Sequence, residues 1–240
     1  DARARARATC HMTARQPFLK PAGGVLRAKL SAPTGVHTLV AFKEQGVLRV
    51  ASASRNNDYA ILLWDVAAGG EPLLALKGHT NHINSLCIYY VSGKAQIVSG
   101  SDDRRVLVWS SMSGHPCAVL RGHTDYVTSV AAFQDNSNDF IISSSWDREV
   151  RIWDAEKALV LNIITFHPRP VNALCTYFDE KGKRRMVISG SDDSNCRVFD
   201  PFYGGSEPAG ILRGHTAPVK QVVCFQDTTL RKALTASSDR

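Results

Sequence analysis

Residues 122–165 read GHTDYVTSVAAFQDNSNDFIISSSWDREVRIWDAEKALVLNIIT, and this stretch decides the fold. Apolar and small polar residues alternate over the first run, and a second run leads into a tight turn that contains Asp147. Period-two alternation bounded by turn residues is typical of short β-strands. The stretch therefore predicts one small antiparallel sheet of four strands, with runs at Val127–Phe133, Ile141–Ser145, Val150–Trp153 and Leu159–Ile163.

The marks of this stretch recur along the chain with a period of about 45 residues. Its histidine has counterparts at positions 79, 167 and 215, and successive histidines are 44, 44 and 48 residues apart. An aromatic residue ends the third run of each unit, and an Asp precedes that aromatic by six residues. The aromatics are Trp64, Trp109, Trp153 and Phe199, and the turn acids are Asp58, Asp103, Asp147 and Asp193, with Asp239 next in phase.

A four-stranded sheet with two apolar faces buries them by packing against copies of itself, and radial repetition protects its edges. The sequence therefore predicts an all-β propeller of four-stranded antiparallel blades within residues 25–240. The expected units lie at about 32–77, 78–121, 122–165 and 166–213, with a partial unit at 214–240.

Three motifs together make the chain resemble the WD40-repeat β-propeller family. They are Gly-His at 78–79, 122–123 and 214–215, S-x-D turns ending at Asp103, Asp147, Asp193 and Asp239, and Trp-Asp at 64–65 and 153–154. The resemblance implies a rigid ring, usually of seven blades, that binds partner proteins and carries out no catalysis. Four units and part of a fifth indicate an incomplete ring, in which Val25–Leu30 aligns with the fourth strand of a blade as a closing strand.

A Ser-His-Asp set recurs in successive units, which favours a structural role because an active site is needed once. The resemblance implies that Asp orients His, that His holds the hydroxyl, and that the indole N–H joins the chain; buried polar groups require such pairing. Phe199 has no N–H donor, so we expect a looser turn in the fourth unit. The predicted network comprises His79, Ser99, Asp103, Trp109, His123, Ser143, Asp147, Trp153, His167, Ser189, Asp193, His215, Thr235 and Asp239.

Recognition must then depend on side chains that differ between units. Trp146 is a large aromatic in a tight turn where the other units carry polar residues, and aromatics at such places are natural binding anchors; packing over neighbouring loops is the alternative. The resemblance adds residues beside the start of each first strand. The candidates are His82, Tyr126, Trp146, Arg169 and Lys220, with Asn84, Thr128 and Asn172 on the same rim.

The basic character of the chain is concentrated at its beginning. Residues 1–29 carry six of the formal net charge of +7, so the rest of the chain is nearly balanced and has no broad phosphate-binding surface by count. Residues 1–24 predict a flexible tail, interpreted as an organelle-targeting peptide, a nucleic-acid arm or a nuclear-import patch; alternatively, translation begins at Met12. Protein partners are the main prediction, and a nucleic-acid-associated role in RNA processing or chromatin would use this tail.

Other classes of protein lack support in the sequence. No apolar run approaches the ~18 residues of a membrane span, and no signal-peptide core is present. The six cysteines include no C-x-x-C pair and the chain has no N-x-S/T sequon, which favours an intracellular location, in the cytoplasm or nucleus. Cys87, Cys175 and Cys196 occupy apolar strand positions, so we expect them to be packing residues. No metal, cofactor or small-molecule substrate is expected.

Overall fold

The computed structural model describes residues 35–54, 57–180, 182–202, 207–226 and 231–239. Within these residues the chain forms β-strands and no helix, so there is no helix that could cross a membrane. The strands are β1 (Val36–Glu44), β2 (Val47–Ser54), β3 (Ile61–Asp65), β4 (Leu74–Leu76), β5 (Ile83–Val91), β6 (Lys94–Ser101), β7 (Val106–Ser110), β8 (Pro116–Leu120), β9 (Val127–Asp135), β10 (Asn138–Ser145), β11 (Val150–Asp154), β12 (Leu159–Ile164), β13 (Val171–Asp179), β14 (Arg184–Ser191), β15 (Cys196–Phe199), β16 (Gly210–Leu212), β17 (Val219–Gln226) and β18 (Arg231–Ser237).

Consecutive strands pair antiparallel to give four sheets of four strands and one sheet of two in the described part of the chain. We call these sheets blades 1 to 5; they begin at β1, β5, β9, β13 and β17. The prediction of an all-β fold made of four-stranded antiparallel blades is confirmed. Among the described residues the blades do not close into a ring.

The aromatic that ends the third strand has the same register in every four-stranded blade. Trp64 pairs with Val50, Trp109 with Ile97, Trp153 with Ile141 and Phe199 with Val187. All four aromatics are buried, and full burial of a side chain of this size contributes several kcal/mol. Because they occupy equivalent positions, the repeat seen in the sequence is a repeat of structure.

The core of the molecule lies between blades, where the first strand of one blade packs against the first strand of the next. The apolar cluster between blades 1 and 2, for example, brings Leu63 of β3 and Leu76 of β4 together with Ile83 of β5 and Trp109 of β7. Three further clusters repeat this arrangement along the series. Each blade is thus stabilised mainly by its neighbours, as expected for a small sheet with two apolar faces.

The cysteine prediction needs a correction. Cys87 and Cys196 are free and buried, as packing residues should be, but Cys175 of β13 and Cys224 of β17 form a disulfide that links blades 4 and 5. The equivalent positions of the other first strands are mostly apolar, so the pattern predicted packing residues. In the structure, adjacent first strands bring these two cysteine side chains together. The predicted tail at 1–24 and closing strand at 25–30 lie outside the described residues.

Candidate protein-interaction surface

One edge of the blades is built from two kinds of connection held together by backbone hydrogen bonds. The turn between the second and third strands meets the segment that precedes the first strand: Asp102 N donates to His82 O at 2.8 Å, and Trp146 N donates to Tyr126 O at 3.0 Å. The backbone N–H groups of Asp192 in blade 4 and Ser238 in blade 5 donate the equivalent hydrogen bonds. We call this edge the turn face.

Beneath the turn face of blades 2 and 3 lies a buried chain of hydrogen bonds. In blade 3 the Trp153 indole donates to Ser143 Oγ at 2.8 Å, and His123 Nε2 lies 2.8 Å from the same oxygen. His123 Nδ1 lies 2.8 Å from Asp147 Oδ2. The carboxylate can only accept, so His123 Nδ1 donates to Asp147.

The same chain is present in blade 2, and blades 1 and 5 contain parts of it. Blade 2 uses Trp109, Ser99, His79 and Asp103, with distances of 2.7–2.8 Å. In blade 5, His215 lies 2.8 Å from both Asp239 and Thr235; in blade 1, the Trp64 indole donates to Ser52.

These sets are shaped to hold the turn and have no access for a substrate. Ser99 and Ser143 are completely buried, and each hydroxyl is already engaged by histidine and tryptophan. Burial acts to raise the pKa of Asp103, but the hydrogen bonds and charge supplied by His79 and Arg105 outweigh it and bring that pKa below its ordinary value. The carboxylate therefore stays ionised, as an acceptor that clamps the turn requires.

Blade 4 departs from the predicted network. His167 lies 2.7 Å from Ser189 through Nε2, but its buried Nδ1 has no hydrogen-bond partner among the described residues. Asp193 is bound instead by Arg197 Nη2 at 2.5 Å. Burial, followed by the nearby Arg197 charge, lowers the pKa of His167 to about 3, so this histidine is neutral. The predicted His167–Asp193 contact is therefore wrong, and the turn is held by an arginine.

The two phenylalanines of blade 4 belong together. In blade 2 a Cβ on Gly78 would lie 3.0 Å from the Trp109 ring, a tight contact that favours glycine at this position. In blade 4 the smaller ring of Phe199 leaves space, and Phe166 fills it with an edge contact at 5.3 Å between ring centroids.

A β-bulge in each of β5, β9 and β13 sends its extra residue toward the next blade. Asn84 Nδ2 donates to Val127 O at 2.9 Å, Thr128 Oγ1 to Val171 O at 2.6 Å, and Asn172 Nδ2 to Val219 O at 2.8 Å. The bulges redirect these side chains sideways. The prediction that Asn84, Thr128 and Asn172 belong to a free partner-binding rim is thus corrected, because each is used to join two blades.

Trp146 and Tyr126 form an aromatic pair on the turn face of blade 3. Their ring centroids are 5.3 Å apart at an interplanar angle of 41°, and 46% of Trp146 and 36% of Tyr126 remain exposed. Trp146 therefore packs on a neighbouring loop and also presents nearly half of its surface, and its role as a binding anchor stays a prediction.

The other candidate residues flank this pair with polar groups. His82 lies on the blade 2 side, in edge contact with Tyr59 at 5.4 Å between centroids, and its buried Nδ1 has no partner among the described residues. On the blade 4 side Arg169 is exposed, while Lys220 forms a 2.7 Å ion pair with Asp192. The structure places all five candidates along one edge, with the aromatic pair between the histidine and the two cations.

The described residues contain one group with the composition of a metal site, made of His123, Asp147 and Glu149. Its ligand atoms already have partners, since His123 and Asp147 bond to each other and Glu149 forms an ion pair with Arg151 at 2.7 Å. This arrangement is explained by the fold without an ion.

One polar link between blades had no signal in the sequence. Glu44 at the end of β1 is buried, and its carboxylate accepts from Ser111 Oγ at 2.6 Å and from Ala95 N at 3.1 Å, both in blade 2. It also bonds Arg49 at 2.7 Å. Blades 3 and 4 have Asp135 and Asp179 at the equivalent strand end and blade 2 has Val91, so an acidic residue recurs there but no local signal indicates its partners in the next blade.

Comparison with known proteins agrees with this geometry. The family profile described as "WD40: WD domain, G-beta repeat" matches residues 70–110, 114–154 and 159–200, which together are more than half of the chain. This chain belongs to the WD40 family. The resemblance stated from the Gly-His, S-x-D and Trp-Asp motifs is therefore confirmed.

Two individual proteins illustrate the relationship. A segment of 54 residues, 22% of the WD40 chain, is 43% identical to a LEC14B homolog from Prunus armeniaca, of which it covers 11%. The crystal structure of the computationally designed Ika8 protein is similar over 86% of the chain, with a TM-score of 0.64 and 23% identity. The WD40 chain covers 56% of that designed protein, and at this identity the likeness concerns the fold alone.

Proposed function

We propose that this chain is a non-catalytic scaffold that binds a partner protein at the turn face of blade 3, with Trp146 and Tyr126 as anchors. WD40 repeats generally mediate protein–protein interaction, and the family is typically non-catalytic. The observation that carries the site assignment is the exposed aromatic pair on a turn that backbone hydrogen bonds hold in place.

A fixed aromatic pair is well suited to binding because little conformational freedom remains to be lost. Trp146 N is bonded to Tyr126 O, so both backbones are set before a partner arrives. Large aromatics contribute much of the binding free energy at interfaces, and truncating such an anchor typically costs 2 kcal/mol or more, on the order of a 30-fold loss of affinity.

The surroundings of the pair provide a polar margin. Arg169 and the Lys220–Asp192 ion pair lie on one side and His82 lies on the other. A protein interface commonly has a central apolar anchor inside a polar, solvent-accessible rim. We therefore assign binding strength to the aromatics and orientation to the flanking charges.

The repeated Ser-His-Asp sets argue for this function over a hydrolase. Their serines are buried, and each is shared between a histidine and an indole. Nucleophilic catalysis needs a hydroxyl that substrate can reach.

The site is tested by pull-down from cell extract with the 240-residue chain as bait, comparing wild type with Trp146→Ala and Tyr126→Ala. Phe202→Ala is the matched control, because Phe202 has a similar exposed fraction (44%) but lies in the connection between β15 and β16, away from the turn face. We expect proteins recovered by wild type and by Phe202→Ala to be lost from both turn-face variants. Equal recovery by all four baits, with unchanged melting temperatures, would contradict the site assignment.

We also propose an intracellular location, in the cytoplasm or nucleus, on the basis of the missing glycosylation sequon and of the family to which the chain belongs. A fluorescent fusion of the chain should remain outside the secretory organelles in living cells. Co-localisation with an endoplasmic-reticulum marker would exclude this proposal.

A further inference from the structure

The interfaces between blades bring the same two strand positions together each time. The fifth residue of one first strand faces the sixth residue of the next: Val40 and Ile88 share the first apolar cluster, Cys87 and Ala132 share the second, and Cys175 is bonded to Cys224. By the same register Ala131 faces Thr176. Among the four described interfaces, cysteine occupies both positions between blades 4 and 5 alone.

The apolar cluster between blades 4 and 5 is smaller than those at the other three described interfaces. Strands β13 and β17 belong to separate sheets, and the described part of blade 5 has two strands. Its polar contacts to blade 4 include the Asn172–Val219 hydrogen bond and the Lys220–Asp192 ion pair, and its apolar cluster is small. A covalent bond between residues 49 apart in sequence therefore adds a constraint that the other interfaces lack.

The two cysteines differ in access to solvent. Cys175 is buried and Cys224 is half-buried, so a small reagent reaches Cys224 first. Cys196 lies in the same cluster, but burial raises the pKa of its thiol to about 11, which keeps it protonated and a poor competitor for exchange. The pair is thus arranged as one accessible thiol and one adjacent resolving thiol.

We propose that Cys175 and Cys224 form a reversible redox staple between blades 4 and 5, made and broken by exchange with small thiols and disulfides of the glutathione class. On oxidation, the Cys224 thiolate attacks a sulfur of the small disulfide, forms a mixed disulfide and releases one thiolate. The Cys175 thiolate then attacks Cys224 Sγ and releases the second. Two electrons pass from the protein to the small disulfide, and the two protein thiol protons end on the released thiols.

The reaction is tested on the 240-residue chain treated with oxidised glutathione, alkylated, digested with trypsin without reduction, and analysed by mass spectrometry. We expect a linked pair of tryptic peptides, 158–181 with 221–231, and loss of alkylation at Cys175 and Cys224 relative to the reduced protein. Ala132→Cys is the comparison variant: it places a cysteine opposite Cys87 at the equivalent positions between blades 2 and 3, where both side chains are buried, so we expect no link there. Cys175→Ser is the negative control.

Two results would overturn the proposal. One is failure of the 175–224 link to form in wild type under oxidation. The other is a link that survives millimolar reduced glutathione in the folded protein, because such a bond would be a permanent staple. The expected switch also raises the melting temperature on oxidation in wild type by several degrees and leaves that of Cys175→Ser unchanged.

Discussion

Arg197 holds the carboxylate of Asp193 at 2.5 Å, in the place where blades 2, 3 and 5 use a histidine. The arginine in place of a histidine keeps the turn closed although Phe199 supplies no indole N–H. It also leaves His167 buried beside a guanidinium instead of a carboxylate. Blade 4 therefore has a different response to pH from its neighbours.

The first prediction concerns His167. The pKa of His167 is about 3 in the folded chain, below the ordinary 6.5. Between these two values the imidazole is therefore protonated in the unfolded chain and neutral in the folded chain. The stability associated with the neutral imidazole is present above pH 6.5 and is lost as pH falls toward 3, at about 1.4 kcal/mol per pH unit.

The measurement is urea unfolding at several pH values between 7 and 4. We expect His167→Gln to show a shallower loss of unfolding free energy than wild type between pH 6.5 and 4, while the exposed His115→Gln behaves as wild type. Parallel curves for wild type and His167→Gln would contradict the assignment.

The second prediction concerns Asp147 at the turn of blade 3. Burial opposes its ionisation, but the His123 hydrogen bond and charge outweigh burial and lower the pKa of the carboxyl. Its contribution to stability is therefore present above its unfolded pKa of about 3.9 and is lost as pH falls below that value. Asp147→Asn should lower the unfolding free energy at pH 7 by about 1–3 kcal/mol. Below pH 4 its unfolding free energy should also fall less steeply with pH than that of wild type.

Circular dichroism against pH and urea measures both effects. Glu156→Gln is the control, since it removes an exposed carboxylate of the same blade. If the two variants are equally stable at pH 7, the His123–Asp147 bond has no structural role.

The third prediction concerns the hydrogen bond from Thr128 to Val171 O. Thr128→Val keeps the shape of the side chain but leaves a carbonyl between two blades without its donor, so we expect a loss of about 1–3 kcal/mol. Thr124→Val is the matched control, because Thr124 is exposed and the bond it makes to Asp147 uses its backbone N–H. Chemical denaturation with a loss below about 0.5 kcal/mol for Thr128→Val would show that the bond does not stabilise the interface.

The fourth prediction concerns Glu44, which joins blades 1 and 2. Glu44→Ala removes the acceptor of Ser111 Oγ and Ala95 N and leaves Arg49 unpaired, so we expect a loss of about 2–4 kcal/mol. Glu44→Gln retains an oxygen acceptor and loses the charge, and it should cost less. Thermal unfolding compares the two, and equal melting temperatures for Glu44→Ala and wild type would rule out the link.

Much of the fold could be predicted from the sequence because each repeat carries local signals. Three signals depend on strand geometry within one blade and recur from unit to unit. In blade 3 they are the alternation in Val127–Phe133, the turn at Asp147 and the buried Trp153. The exposed aromatic at Trp146 was also identifiable, since it breaks the polar pattern of equivalent turns. The partner of Arg197 was not predictable, because the equivalent Arg151 pairs with Glu149 instead. The partners of Glu44 were not predictable, because they belong to the next blade.

The order of strands, the phase of the blades and the identity of the buried polar sets were determined by the sequence itself, through hydrophobic period and turn chemistry. Contacts between blades were decided by the tertiary structure: the sideways reach of Asn84, Thr128 and Asn172, and the meeting of Cys175 with Cys224. The physical reason is that these contacts join residues of different sheets or depend on a local bulge. Their distances follow from how sheets pack, which no single repeat encodes.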